Sequence, residues 1–307
     1  MEPHHRTMQN PSLNYIDCPH PAASHRMAYW QWGQADAEHM VVCVHGLTRQ
    51  GRDFDVLAQA LVQAAGGNLC VLCPDVVGRG QSDYLSDPQG YQMPTYVVDM
   101  LTLISTLKPR VLDWVGTSMG GLIGMAVSAH AAALGLQIRR LVLNDVGPVI
   151  EWAALQRIRG YLGQNMQFAS FEQALRAMQF LFNGFGPHSD AQWQALSRPM
   201  VKPIAGGSGV VLHYDPALAQ PFQNITQEAS LQAEALWWQI YDGITAPTLL
   251  LRGAQSDLLS PATAQAMTQR GPCAQLQEFA GVGHAPALVV PDQVRAVASF
   301  LLYPTAL

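Results

Sequence analysis

The chain has 307 residues, of which 49% are apolar and only 13% are charged, whereas about a quarter of an average soluble domain is charged. A net charge of -5 and scattered basic residues argue against nucleic acid as a partner. The longest apolar runs are far shorter than the roughly 20 residues that cross a bilayer, which argues against a membrane-inserted protein. The first 30 residues contain no apolar block typical of a signal peptide. We therefore expect a cytoplasmic protein.

Short apolar runs predict the strands of one sheet. Continuous runs of this length are typical of strands buried on both faces, and a half-alternating segment at 274–280 predicts one more strand near the end of the chain. The runs lie at 40–44, 69–73, 111–115, 141–143 and 248–251. Helical periodicity appears between them, for example at 97–107 and, behind Pro291, at 294–301. This alternation predicts an α/β fold with a mostly parallel central sheet flanked by helices.

The alternation of strands and helices stops between residues 148 and 245. Four segments there have helical patterns with no buried strand between them, at 152–161, 171–182, 191–200 and 231–241. Ordinary connections between elements are only 2–6 residues long, so this segment is too long to be a simple loop. We predict a core of residues 1–146 and 245–307, with a helical cap, or lid, of residues 147–244 inserted between two sheet strands.

A nucleophile motif follows the predicted strand at 111–115. Residues 116–121 are Gly-Thr-Ser-Met-Gly-Gly, which matches G-x-S-x-G between a strand and a helix. Gly116 and Gly120 leave space for a sharp turn that holds the hydroxyl of Ser118 above the sheet edge. The start of the following helix favours negative charge that develops there. The motif predicts Ser118 as a nucleophile.

A serine nucleophile needs a base that takes its proton and an acid that orients the base. His284 lies in a glycine-rich loop after the last predicted strand and is the predicted base. Asp257 follows the strand at 248–251 and is the predicted acid. Asp145, at the end of the strand at 141–143, is the alternative acid. Its other interpretation is a structural role at the junction of core and cap.

With these residues in this order, the chain resembles the α/β-hydrolase fold superfamily, in particular serine hydrolases with a Ser-Asp-His triad and a helical cap. Five ordered motifs carry the resemblance: His45-Gly46-Leu47, residues 75–82, the serine turn, the acid loop and the histidine loop. The resemblance implies that the backbone N–H groups of Leu47 and Met119 form the oxyanion hole. It also implies that His45 and residues 75–82 are structural.

The resemblance implies a carboxylesterase that uses water to cleave small to medium neutral acyl esters through a Ser118 acyl-enzyme, with no cofactor and no metal. The few charged groups in the cap favour a neutral substrate. Lactonases and hydrolases of carbon–carbon bonds in meta-cleavage products use the same triad and stay open as alternatives. A non-catalytic, ligand-binding scaffold of the same fold is the alternative from another class.

Three residues are candidates for substrate binding. Arg49 follows the predicted oxyanion loop, where it would either recognise a substrate carboxylate or brace the loop. Trp152 and Trp238 are large apolar side chains in the predicted cap. We expect them to line the pocket or, alternatively, to pack in the core of the cap.

Overall fold

The computed structural model describes residues 10–131 and 135–303. Its centre is an eight-stranded sheet in which the first two strands run antiparallel to their neighbours and the other six run parallel. In spatial order the strands are β1 (Ser12–Cys18), β2 (His25–Gly33), β4 (Cys70–Pro74), β3 (His39–Val44), β5 (Val111–Thr117), β6 (Ile138–Asn144), β10 (Thr248–Gly253) and β11 (Gln275–Phe279). The predicted α/β fold with a mostly parallel sheet is confirmed.

Helices cover both faces of this sheet. On one face lie α1 (Asp55–Ala64) and α10 (Pro291–Leu302), and on the other lie α2 (Met93–Leu107), α3 (Met119–Ala131) and α9 (Pro261–Met267). Successive strand residues point to opposite faces, and in β3 Val41 packs under α1 while Val42 packs on the other side. This double burial explains why the strands are continuous apolar runs. In the described ranges, every helix is too short or too polar to span a membrane.

The hairpin of β1 and β2 was not predicted from the sequence. It pairs Ser12 with Gln31 at one end and Cys18 with His25 at the other. Because β1 is an edge strand with several exposed residues, it contains no continuous apolar run. The hairpin is tied to α2 by a hydrogen bond of 3.0 Å between His25 Nε2 and Asp99 Oδ2.

The predicted cap, residues 147–244, lies between β6 and β10. It contains α4 (Trp152–Tyr161), α5 (Phe171–Leu181), α6 (Asp190–Ser197), α7 (Gln220–Gln223) and α8 (Gln227–Asp242). The four predicted helical segments therefore form helices. The cap also has a small antiparallel sheet with the order β7 (Gln167–Phe168), β9 (Val210–Leu212) and β8 (Val201–Pro203). The predicted cap is therefore mixed rather than purely helical. The sequence does not show these strands because strands of two or three residues are too short to leave a recognisable pattern.

The cap is hydrogen-bonded to the loop that follows β4. Gly80 N donates to His213 O at 3.0 Å, and Asp215 N donates to Gly78 O at 2.8 Å. The hydroxyl of Tyr91 donates to Asp215 Oδ2 at 2.6 Å. The loop at residues 75–82 thus anchors the cap over the carboxyl ends of the parallel strands, where ligands bind in open α/β sheets.

Candidate active site

Ser118 occupies a sharp turn between β5 and α3. It is the single residue between the end of β5 at Thr117 and the start of α3 at Met119. Its φ of 52° is in the left-handed region, which residues with a side chain rarely adopt. A Cβ on Gly116 would lie 2.2 Å from Gly120 O, and one on Gly120 would lie 2.0 Å from Val44 O. Both positions therefore require glycine, and the structure forms the turn that the motif predicts.

His284 joins the serine to a buried carboxylate. Its Nε2 lies 2.9 Å from Ser118 Oγ, and its Nδ1 lies 2.7 Å from Asp145 Oδ2. Asp145 has no solvent exposure, and its Oδ1 accepts a hydrogen bond of 2.9 Å from the backbone N–H of Gly253. Since a carboxylate at Nδ1 requires a proton on that nitrogen, Nε2 is left as the acceptor that faces the serine hydroxyl.

The structure does not place Asp257 at His284, which corrects the predicted acid. The Asp257 carboxylate is 48% exposed and accepts hydrogen bonds from Arg157 Nε at 2.7 Å and Arg157 Nη2 at 2.9 Å. Asp145, the alternative acid, contacts the histidine instead. β6 and β10 are parallel neighbours, so both acids lie at the same sheet edge, and only the folded loops decide which carboxylate points inward.

Ser256 is a further polar residue at this site that the sequence did not indicate. Its hydroxyl donates to Asp145 Oδ2 at 2.6 Å and accepts from the backbone N–H groups of Leu258 and Leu259 at 3.3 and 3.1 Å. The loop after β10 thus contributes to the site through Ser256 and the Gly253 amide rather than through Asp257. A serine in a polar loop leaves no sequence signal that would single it out.

The backbone N–H groups of Leu47 and Met119 flank the serine turn. Met119 is the first residue of α3, so its amide is one of the unpaired donors at a helix start. Leu47 is held through its carbonyl, which accepts a 2.8 Å hydrogen bond from the fully buried Arg79. Among the residues that the structure describes, no protein acceptor pairs with either amide. Both donors therefore remain available to a ligand oxygen.

His45 is a buried structural link rather than part of the proton path. Its Nδ1 lies 2.7 Å from Gly46 O, and its Nε2 lies 2.9 Å from the backbone nitrogen of Val76. Burial lowers its pKa to about 3, so the ring is neutral, donating from Nδ1 and accepting at Nε2. It connects the loop that carries Leu47 to the loop after β4, which agrees with the structural role that the resemblance implies.

Ser118 and His284 open into a cavity between core and cap. The cap side is mainly apolar and includes Arg157 as well as Ile158, Tyr161, Leu181, Phe182, Phe185 and Leu196. Trp152 and Trp238 do not line it, which corrects their predicted role. The ring of Trp238 instead packs edge-on against Tyr241 and under the guanidinium of Arg270. The sequence signal for the cavity-lining face of α4 is the spacing of Arg157 and Tyr161, which are four residues apart and so lie on one face of the helix.

Arg49 braces the cap against the core. Its guanidinium donates to both carboxylate oxygens of Asp53, at 2.7 and 2.6 Å, and to Leu196 O at 2.9 Å. It also packs against the rings of Phe182 and Phe185, 5.0 and 5.3 Å from their centroids. With these partners and a side chain that is only 7% exposed, Arg49 is held by contacts within the protein. Of its two predicted roles, the structure favours loop bracing over carboxylate recognition.

One cluster of metal-ligand residue types lies outside the cavity. Candidate ligand atoms of Cys18, His25 and Asp99 are within 4.8 Å of one another. All three residues are buried, and burial raises the pKa of the Cys18 thiol far above its ordinary value. The imidazole of His25 and the carboxylate of Asp99 already share a hydrogen bond. We interpret this cluster as polar packing between the first hairpin and α2.

Comparisons with known proteins agree with this architecture. The chain is 45% identical to the 3-hydroxybutyrate-oligomer hydrolase of Cupriavidus necator over 95% of this chain and 98% of that one. It is 24% identical to the 2-(acetamidomethylene)succinate hydrolase of Mesorhizobium japonicum over 85% and 87% of the two chains. The crystal structure of an alpha/beta hydrolase from Novosphingobium aromaticivorans is 33% identical, with a TM-score of 0.80 over 96% and 99% of the two chains. The model of the alpha/beta hydrolase family matches residues 41–298, and the chain belongs to that family.

Proposed function

We propose that this hydrolase cleaves carboxylic esters through an acyl-enzyme on Ser118. The observation that carries the proposal is the continuous hydrogen-bonded line from Ser118 Oγ through His284 to Asp145 Oδ2, with contacts of 2.9 and 2.7 Å. A nucleophile, a base and a buried acid in this order are what acyl transfer to a serine requires. The acid in the proposal is Asp145, in place of Asp257.

The geometry supports a two-step mechanism. His284 Nε2 accepts the proton of Ser118 as Oγ attacks the ester carbonyl carbon, while Asp145 stabilises the imidazolium that forms. The N–H groups of Leu47 and Met119 donate to the oxyanion, and each such donor typically contributes about 3 kcal/mol to transition-state stabilisation. His284 then protonates the leaving alcohol oxygen, and water attacks the acyl-enzyme by the same route in reverse.

For the substrate class, we propose short oligoesters of hydroxy acids such as 3-hydroxybutyrate. Support comes from the relative in Cupriavidus necator, which is named for such oligomers and is 45% identical along nearly the whole length of both chains. Units of 3-hydroxybutyrate are joined by ester bonds, so the chemistry is that of the proposed mechanism. Aliphatic and aromatic side chains dominate the cap side of the cavity, and they suit the methyl and methylene groups of such a chain. The proposal keeps the expected carboxylesterase chemistry but replaces the neutral acyl ester that the sequence favours by an oligoester with a free carboxylate.

The test compares wild type with Ser118→Ala on p-nitrophenyl butyrate, on linear 3-hydroxybutyrate trimer and with a fluorophosphonate probe. We expect wild type to hydrolyse both esters and to be labelled, and Ser118→Ala to do neither while its circular dichroism spectrum is unchanged. Labelling or turnover by the variant would overturn the nucleophile. Turnover of p-nitrophenyl butyrate without turnover of the trimer would overturn the substrate class. The lactonase, carbon–carbon hydrolase and scaffold alternatives gain support only if wild type hydrolyses neither of these linear esters.

A further inference from the structure

We propose that Arg157 binds the free carboxylate at the acid end of the substrate, so that oligoesters are shortened from that end one unit at a time. This inference rests on the proposed oligoester activity and adds the direction of cleavage to it. A linear oligomer of 3-hydroxybutyrate has a hydroxyl at one end and a carboxylate at the other. A cation in the cavity distinguishes these two ends.

Arg157 is positioned for this role by α4. It lies in the second turn of the helix, one turn before Tyr161, and both side chains line the cavity that contains Ser118 and His284. The Arg157 side chain is 44% exposed, so an incoming anion can reach it without unfolding the cap. Burial raises the pKa of Tyr161, so its phenol stays protonated and can donate to the same anion.

The other arginine of the described cavity lining, Arg49, does not compete for this role. Its guanidinium is nearly enclosed by Asp53, the carbonyl of Leu196 and two phenylalanine rings. Only 7% of its side chain is exposed, against 44% of the Arg157 side chain, so a substrate carboxylate would have to displace these groups to reach it. Arg157 is therefore the cation that a ligand in this cavity can reach.

The hydrogen bonds of Arg157 leave one edge of its guanidinium free. Asp257 accepts from Nε and Nη2, which uses two of the five N–H donors of the group. The phenol oxygen of Tyr161 lies beside the guanidinium, and in the part of the chain that the structure describes Asp257 is the one carboxylate that pairs with it. A second carboxylate can therefore bind in a bidentate manner at the Nη1 and Nη2 edge, while Asp257 holds the guanidinium in orientation. This assigns Asp257 a positioning role next to the cavity.

The proposal fixes the direction of cleavage. Arg157 and Ser118 line the same cavity, so with the terminal carboxylate on Arg157 the proposal places at Ser118 the first ester from that end, which joins the terminal unit to the unit before it. Ser118 Oγ forms a bond to the acyl carbon of the preceding unit, and the bond from that carbon to the 3-oxygen of the terminal unit breaks. His284 delivers its proton to this oxygen, and 3-hydroxybutyrate leaves. Water then releases the shortened oligomer, with its new carboxylate, from Ser118.

The experiment compares the linear 3-hydroxybutyrate trimer as a free acid with the same trimer blocked as a methyl ester at its acid end. Monomer release is followed by mass spectrometry for wild type, Arg157→Gln and the matched control Arg159→Gln. Arg159 lies on the same helix, donates to the carbonyls of Gln223 and Ile225, and does not line the cavity. Turnover of p-nitrophenyl butyrate reports whether the ester chemistry of each variant is intact.

We expect wild type to prefer the free acid by roughly 10- to 100-fold in kcat/KM, which is the size of a hydrogen-bonded contact to a charged group. The contact is present in both ground and transition state, so Arg157→Gln should raise KM for the free acid by a similar factor and change kcat less. Its activity on the methyl ester and on p-nitrophenyl butyrate should fall much less than its activity on the free acid, so that the preference of the variant for the free acid is largely lost. Arg159→Gln should keep the preference.

A trimer labelled with carbon-13 in its acid-terminal unit gives an independent readout, because labelled monomer should be the first product of wild type. Equal turnover of acid and methyl ester by wild type, or unlabelled monomer as the first product, would overturn the inference while leaving the oligoester activity standing. An equal loss by Arg157→Gln on both trimers would overturn it as well. If wild type cleaves p-nitrophenyl butyrate but neither trimer, the substrate class fails and the inference fails with it.

Discussion

The Nδ1 atom of His284 lies 2.7 Å from Oδ2 of Asp145, a carboxylate that follows β6. The aspartate in the loop after β10, Asp257, pairs with Arg157 of the cap instead. The loop after β6 thus supplies the buried carboxylate that contacts His284, and the loop after β10 supplies a surface carboxylate that contacts a cap residue. The loop after β10 still supports the acid, since Gly253 N and Ser256 Oγ donate to Asp145.

Replacing each aspartate by asparagine should distinguish the role of Asp145 from that of Asp257. We expect Asp145→Asn to lower kcat on p-nitrophenyl butyrate by roughly 1,000- to 10,000-fold, because an amide no longer stabilises the Nδ1–H tautomer and the imidazolium. Asp257→Asn should lower it by less than about tenfold, because its carboxylate is exposed and does not contact the imidazole. Steady-state kinetics of the two variants at one pH make the comparison. The reverse ranking would restore Asp257 as the acid.

Ser256 should hold Asp145 in position against His284. Its hydroxyl donates to the same Asp145 oxygen that accepts from the histidine, so Ser256→Ala removes one of the contacts that fix this carboxylate. We expect kcat on p-nitrophenyl butyrate to fall by about tenfold, the size of a lost hydrogen bond to a charged group, with little change in KM. Ser256→Thr keeps a hydroxyl and should restore most of the loss. An unchanged kcat for the alanine variant would show that Ser256 only supports the loop.

The glycines of the serine turn should tolerate no side chain. A Cβ on Gly120 would lie 2.0 Å from the carbonyl oxygen of Val44, and neither backbone can move without disrupting β3 or α3. We expect Gly120→Ala to lower the melting temperature sharply or to prevent folding. Gly160, inside α4, has open space around its Cβ position, so Gly160→Ala should stabilise the protein by about 0.5 to 1 kcal/mol through its helix propensity. Thermal unfolding of the two variants checks this prediction, and similar melting temperatures would contradict it.

His45 should make the fold sensitive to acid. Its folded-state pKa of about 3 lies below the ordinary value of 6.5, so between these values the unfolded chain binds a proton that the folded chain does not. The stability that depends on neutral His45 is fully present above about pH 6.5. Over this window its loss amounts to about 1.4 kcal/mol for each unit that the pH falls.

The measurement for His45 is urea unfolding of wild type and His45→Gln between pH 7 and pH 4. Glutamine can accept from Val76 N but does not titrate. The variant should be less stable than wild type at pH 7, and the difference between them should shrink as the pH falls. A difference that stays constant with pH would show that His45 does not control the acid sensitivity.

Many features of this protein follow from local chemistry in the sequence. The parallel strands are predictable because residues buried on both faces must be apolar in succession, as in β3 and β4. The serine turn is predictable because Gly116 and Gly120 satisfy a steric requirement that involves only nearby backbone. The position of His284 is predictable for the same reason, because it needs only the glycine-rich loop that directly follows the last strand. β1 and the short strands of the cap were missed because an edge strand, or a strand of two or three residues, has no burial pattern of its own.

The tertiary structure alone decides which distant side chains meet. The ends of β6 and β10 lie side by side, so both carboxylates fit the chain order although the sequence favours Asp257, and only the fold of their loops turns Asp145 inward and leaves Asp257 at the surface. The roles of the cap residues depend on tertiary contacts in the same way. Arg49 pairs with Asp53 and Leu196 O, Trp152 and Trp238 do not line the cavity, and Arg157 does. Sequence patterns report the burial of single elements, whereas these roles depend on contacts between residues a hundred or more positions apart. Apolar runs and motifs thus determine the sheet and the placement of Ser118 and His284, the fold of the loops after β6 and β10 decides which carboxylate contacts His284, and the packing of cap on core forms the cavity.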